Sequence, residues 1–254
     1  MGFVANTTVG QQGQVQAGQV RGARTETRAG LLPSPGVGFQ DVWTLPGNFQ
    51  WPQTAEIISF VSDDANDTLL GTGARTVLVE GLLDDFSEAR EFVELNGLTP
   101  VNTVNAYRRV NRCIVGATGN YYGTNIGTIL GTRSGPVNWL RIAPGSGGAV
   151  YSHYTVPADT VCIGIEFELY SQADFVAQIN IREDAAAVAS PKALFRAVDF
   201  FGAAGSDFHV RVGLTFNERT DFWIKVQTTP SKSIASLMNF TLLDKAFSRA
   251  ELAP

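Results

Sequence analysis

The chain is poor in titratable side chains: of 254 residues only 17% are charged, with two histidines and two cysteines. Each scarcity excludes something. His153 and His209 leave little for general-base chemistry or a histidine-rich metal centre, and no Gly-x-Ser-x-Gly elbow accompanies them. Both histidines are expected at a surface or interface. Cys113 and Cys162 match neither a zinc ligand set nor a disulfide framework, so both are expected as buried thiols. No stretch reaches the ~18 apolar residues of a spanning helix, and the N-terminus MGFVANTTVGQQGQVQAG has no basic region leading into an apolar one. A soluble chain made in the cytoplasm is expected, so the sequons at Asn6, Asn66 and Asn239 count as chance. A net charge of −5 argues against a nucleic-acid partner, which calls for a basic face.

What is abundant is turn and strand chemistry. With 44% hydrophobic residues, 26 glycines and 11 prolines, the composition is that of an all-β protein joined by short loops. Between Asp63 and Ala117 the runs Arg75 to Leu83, Glu88 to Leu95 and Ala106 to Ala117 are separated by turns at Asp84-Asp85 and Asn96-Gly97, which predicts a β-meander. Further on, Val161, Ile163, Ile165, Phe167 and Leu169 alternate with Cys162, Gly164, Glu166 and Glu168. Such alternation marks a strand with one buried face. Phe208 to Phe216 and Phe222 to Val226 alternate likewise, and Asn217 to Thr220 is expected to join them as a hairpin loop. Phe175 to Arg182, Ala193 to Phe201 and Ile234 to Leu243 add strands, while Ser248 to Leu252 suits one helical turn. The expected fold is an antiparallel β-sandwich of the jelly-roll kind with an extended N-terminal arm.

Three regions are expected: an arm over 1–38, a meander or sandwich region over 39–145 and a jelly-roll-like region over 146–254, the break falling at the glycine-rich Pro144 to Gly148. The arm alternates glutamine with glycine and small residues, then carries Arg21, Arg24 and Arg28. Nothing in it predicts a core, so it reads either as a disordered leader or as an extension that orders against a neighbouring subunit, the latter preferred. Its arginines suit an acidic partner surface.

Searching for chemistry yields little. Asp63, Asp64 and Asp67 cluster before a strand, but their spacing misses a calcium loop, and aspartates commonly bond their own backbone in turns. Gly71-Thr72-Gly73 and Gly145 to Gly148 lack the Lys-Ser/Thr ending of a phosphate loop. Glu166, Glu168, Asp174 and Glu183 supply carboxylates for glycoside hydrolysis, yet nothing selects a pair. Tyr107, Tyr121, Tyr122, Tyr151, Tyr154, Trp139 and Trp223 suit either sugar stacking or interface packing, with Tyr121 and Tyr122 favoured as surface aromatics. Arg108, Arg109 and Arg112 form the dense basic patch outside the arm. Alternation sets Arg108 and Arg112 against Arg109, which suits ion pairs between subunits. No cofactor, metal or catalytic residue is expected.

Residues 63 to 115 also resemble a family of virion-associated proteins of tailed phages of marine bacteria. The likeness lies in Gly71 to Thr76, Gly81-Leu82-Leu83-Asp84, Glu94 to Val101, Arg108 to Arg112 and the strand opening Tyr154-Thr155-Val156-Pro157. Leu83 is an insertion, and Phe92 and Glu94 stand where the family pattern has threonines. The resemblance implies a non-enzymatic virion part, made in the host cytoplasm. The leading expectation is a decoration or cement protein on the outer capsid, binding the major capsid protein through its arm and forming homo-oligomers, with a trimer as the guess. A host-receptor or glycan-binding head or tail fibre module is the alternative, and a carbohydrate-active enzyme the third.

Overall fold

The structure, a computed structural model, describes residues 15, 20–33, 35, 38–119, 123–134, 137–183, 185, 195–205, 207–212, 215–228 and 232–246. Among them every named element is a β-strand, and every strand pairing with a stated register is antiparallel. The helical turn expected over 248–252 lies outside the described residues. Two compact units emerge, Met1–Val42 with Thr155–Pro254, and Trp43–Tyr154. The divisions thus fall at 42/43 and 154/155, against the expected 38/39 and 145/146, and the expected arm belongs to the first unit.

In that unit β1 (Ala23–Leu32) and β2 (Gln40–Asp41) precede the chain's excursion into the second unit. There follow β3 (Ser59–Ser62), β4 (Ala74–Leu82), β5 (Glu88–Glu94), β6 (Val101–Asn102), β7 (Arg109–Thr118), β8 (Ile129–Arg133) and β9 (Val137–Ile142). The chain returns through β10 (His153–Thr155) to β11 (Thr160–Ser171), β12 (Phe175–Arg182), β13 (Phe195–Gly202), β14 (Asp207–Val212), β15 (Asp221–Thr228) and β16 (Ile234–Asp244).

The second unit holds two small sheets, ordered β6-β3-β8-β9 and β5-β4-β7. Its core gathers Ile58, Phe60, Val77, Val79, Tyr107, Cys113, Ile129, Trp139 and Leu140, all nearly or fully removed from water. The expected meander is replaced by a different pairing: β4 is central, and β5 and β7 flank it. After the Asn96-Gly97 turn the chain leaves this sheet to form β6, whose Val101 and Asn102 pair with Phe60 and Ser59 of β3. When it comes back as β7, the open edge of β4 receives it, from Arg109 opposite Leu82 to Thr118 opposite Ala74.

The first unit contains the sheet β1-β16-β11-β14 and a second sheet ordered β10-β15-β12-β13, with β2 beside β15; of β10 only Thr155 falls within the unit's bounds. Residues 23–32, expected within the arm, pair in ten consecutive positions with β16 of the same chain, from Ala23 opposite Leu243 to Leu32 opposite Ile234. Their order comes from within the chain, because an edge strand satisfies its backbone groups on a neighbour already present. The expected hairpin at Asn217 to Thr220 is also corrected. β14 pairs with β11 and β15 with β12, so this loop carries the chain from one sheet to the other. Arg219 takes a left-handed φ of 61° there, and its N–H donates to the Val156 carbonyl at 2.8 Å. Cys113 and Cys162 are buried and unbridged, as expected, and burial pushes both thiols well above the usual range.

Candidate functional site

The arginines proposed as contacts divide into two kinds. Arg108 and Arg109 are 5% and 2% exposed, which excludes them as subunit contacts. Arg108 precedes β7, and its Nη1 reaches Asp84 Oδ1 at 3.2 Å while its guanidinium lies 4.9 Å from the Phe86 ring centre. Phe86 is buried and closes the turn after Asp84-Asp85 with a left-handed φ of 68°. That conformation costs a non-glycine residue about 1–2 kcal/mol, which burial of the ring beneath the guanidinium offsets. Arg109 Nη1 donates to the carbonyls of Pro52 at 2.6 Å and Arg108 at 2.8 Å, beneath Trp51 at 5.1 Å. A buried guanidinium needs such acceptors and ring faces; these come from segments far away in sequence. Arg112 remains exposed and pairs across the sheet with Glu80 at 3.3 Å.

In β1, Glu26 lies between Arg24 and Arg28, at 3.4 and 2.9 Å. Register sets these three opposite Leu242, Phe240 and Met238, whose side chains are buried. The charges therefore rim the core-facing side of an edge strand, an arrangement that discourages further strand pairing. Arg21 is exposed in the turn before β1.

The aromatic candidates are mostly internal. Tyr107, Tyr151, Tyr154, Trp139 and Trp223 are each at most 5% exposed, which removes them from any sugar-stacking surface. Tyr121 and Tyr122 lie outside the described residues. His153, expected at a surface or interface, is 4% exposed and packs against the rings of Phe49 at 3.9 Å and Tyr151 at 4.2 Å. In the aspartate cluster Asp67 is fully buried and all its carboxylate contacts are protein donors, while Asp63 accepts from the Thr128 N–H at 2.6 Å and Asp64 from the Asn66 N–H at 2.7 Å. These carboxylates act as loop staples.

The densest titratable group sits on the outward face of β11 and β14. Glu166 is paired in register with Arg211, and Glu168 with His209, so all four side chains share one face. Glu166 Oε1 accepts from Arg211 Nε at 2.8 Å and from His209 Nε2 at 2.5 Å. Ligand atoms of Glu166, Glu168 and His209 lie within 4.8 Å of one another. This is the one group of metal-ligating side chains found among the described residues, but the Arg211 guanidinium already supplies a cation at its shared oxygen. Alternation marked each of these residues as outward-facing; only the register joined them.

The hydrogen bond from Arg211 holds the Glu166 carboxyl below the usual carboxylate range, against the opposing effect of burial and with further help from His209. A folded-state pKa below the unfolded one stabilises the fold above the ordinary carboxylate value of about 4.3, and that contribution is lost as pH falls through the folded value. Glu166→Gln is therefore expected to lower stability near neutrality, where the charged carboxylate contributes, and to flatten the acid limb so that the two chains converge at low pH. Denaturation midpoints measured across that limb check this; identical limbs for the two chains would contradict it.

No family model and no curated protein matches this chain. Among solved structures, it is similar to infectious bursal disease virus, Gx strain, at 12% identity, covering 87% of this chain and 71% of that one with a TM-score of 0.28. It is likewise similar to the infectious bursal disease virus VP2 subviral particle at 13% identity, covering 91% and 74% with a TM-score of 0.28.

Proposed function

We propose that the chain is a non-enzymatic virion structural protein, a decoration or cement protein of the outer capsid, built on a jelly roll in its first unit. The observation that carries the reading is strand order. Taking β1 and β10 to β16 as the first to eighth strands, one sheet runs first, eighth, third, sixth and the other second, seventh, fourth, fifth. First pairs with eighth, second with seventh, third with sixth and fourth with fifth, which is one long hairpin rolled into two sheets. Ring contacts between the two sheets support it: Phe222 of β15 lies 5.4 Å from Phe240 of β16, and Phe200 of β13 lies 5.3 Å from Phe208 of β14. Jelly rolls serve viral capsids and lectins alike.

Three further points favour a capsid part over a lectin or an enzyme. The aromatics weighed for sugar stacking that lie among the described residues, Tyr107, Tyr151, Tyr154, Trp139 and Trp223, are internal. Neither imidazole is placed as a base, since His153 packs against rings and His209 is tied to Glu166. The resemblance over residues 63 to 115 is to virion proteins. On this reading the partners are the major capsid protein and further copies of the chain, with no nucleic acid, membrane or cofactor. With Arg24 and Arg28 engaged in β1, the capsid-binding part of the arm is the segment before Ala23.

Antibodies raised against the isolated chain and imaged on intact particles provide the test. Label distributed over the capsid surface is the expected result. Label confined to the tail, or particles that carry none, would overturn the proposal.

A further inference from the structure

The outer face of the β5-β4-β7 sheet has a pattern that its own chain leaves unanswered. Register sets Arg90, Glu80 and Arg112 in one row across this face and Phe92, Leu78 and Ile114 in the next. Glu94 lies opposite Thr76 beyond them. Glu80 is engaged by Arg112 at 3.3 Å. Arg90 and Glu94 are exposed and make no ion pair or hydrogen bond among the described residues. Between them Phe92 is 60% exposed. A Cβ at Gly116 would lie 2.8 Å from two carbons of the Phe92 ring, so the bare backbone of β7 lets the ring extend across the sheet from β5.

We propose that this face binds a second copy of the chain about a two-fold axis running across the strands along the Phe92, Leu78 and Ile114 row. Along β5 the exposed order is positive, apolar, negative. An axis through the apolar member reverses the partner strand, so Arg90 of each copy meets Glu94 of the other and the two Phe92 rings face each other. The contact is isologous and self-complementary. An axis parallel to the strands would instead oppose Arg90 with the Arg112 row, and like charges disfavour it. Three strands about 4.8 Å apart and five residues long cover about 250 Å². A standard interface takes about 800 Å² from each partner. The pairing is therefore weak in dilute solution and forms where copies are held at high local concentration. It does not depend on the virion reading, because it is measured on the isolated chain.

A Phe92→Cys chain, treated at high protein concentration with a short bifunctional thiol reagent, is expected to give covalent dimers at least about tenfold faster than Leu70→Cys, which places a more accessible thiol on a loop. Leu70 is 91% exposed, and the native thiols Cys113 and Cys162 are buried. Adding Arg90→Glu is expected to remove the advantage, exchanging the two charges by Arg90→Glu with Glu94→Arg to restore it, and raised salt to diminish it. In parallel, the average mass of the unmodified chain in sedimentation should rise with concentration, and Arg90→Glu should abolish the rise. Dimer yields no higher than for Leu70→Cys, yields indifferent to Arg90→Glu, or a constant mass at all concentrations would each overturn the proposal.

Discussion

Asp67→Ala is expected to cost the second unit about 3–5 kcal/mol of stability. Its carboxylate is completely buried. Oδ1 accepts from the Ala74 N–H at 2.8 Å and the Ile126 N–H at 2.9 Å; Oδ2 accepts from the Gly127 N–H at 2.8 Å and the Ser62 hydroxyl at 2.7 Å. The donors belong to the end of β3, the start of β4 and the loop before β8; β3 and β8 pair at Ser62 and Ile129, but no strand pairing joins either of them to β4. Gly73 shows how tightly they close: a Cβ there would lie 2.2 Å from Asp67 Oδ1. Alanine would leave all four donors without an acceptor in a space closed to water. Each unmet buried donor costs about 1–3 kcal/mol, and relaxation recovers part of the sum. An asparagine side chain keeps one acceptor oxygen and turns an NH₂ toward the other donors, so about half the loss is expected for Asp67→Asn. Three of the four tryptophans, Trp43, Trp51 and Trp139, lie in this unit, so tryptophan fluorescence during denaturation reports mainly on it. A loss of less than about 1 kcal/mol for the alanine variant would refute the staple role.

The second large effect lies in the first unit. Asp221 is fully buried and stands opposite Arg182 in the β12–β15 register. Arg182 donates to Asp221 Oδ2 through Nε at 2.9 Å and also through Nη2, while the Thr155 hydroxyl donates to Oδ1 at 2.5 Å. The pair lets charged side chains close the end of a sheet whose neighbours are Ile181 and Phe222, both buried. Asp221→Ala removes the carboxylate from a guanidinium whose side chain is only 13% exposed, and breaking a buried pair from one side costs about 3–5 kcal/mol. Replacing both partners with apolar residues of similar volume, Arg182→Met with Asp221→Leu, is expected to recover most of that loss, since neither buried charge then remains. Denaturant titrations of the single and double variants separate the two effects. Equal losses in both would mean that the site needs the charges themselves.

Where the chain makes strands was readable locally. Phe175 to Arg182 forms β12 with the bounds expected from the sequence. In β11, Ile165, Phe167 and Leu169 are buried while Glu168 faces out, because successive side chains on an extended backbone take opposite sides; before the bulge between Ile163 and Glu166 the expected phase is reversed, with Cys162 buried and Val161 and Ile163 only partly covered. The candidate contacts were legible only in part. Outward placement of Glu166, His209 and Arg211 followed from alternation, whereas their convergence required β14 to pair with β11 at one register.

By itself, then, the sequence determined that this protein is built from antiparallel strands with two buried thiols, from composition and turn spacing, and that Glu168 faces outward on β11, from a period of two. Tertiary structure alone decided which strands became neighbours, and with that the fate of the charged residues. Arg108 and Arg109 read as a surface patch until Asp84, Phe86, Trp51 and Pro52 closed over them. Residues 23–32 read as an arm until β16, more than two hundred positions away, offered an edge. Closing such long loops costs entropy that grows only slowly with length. The choice among alternative pairings therefore rests on burial summed over distant residues, a quantity that no local stretch of sequence contains.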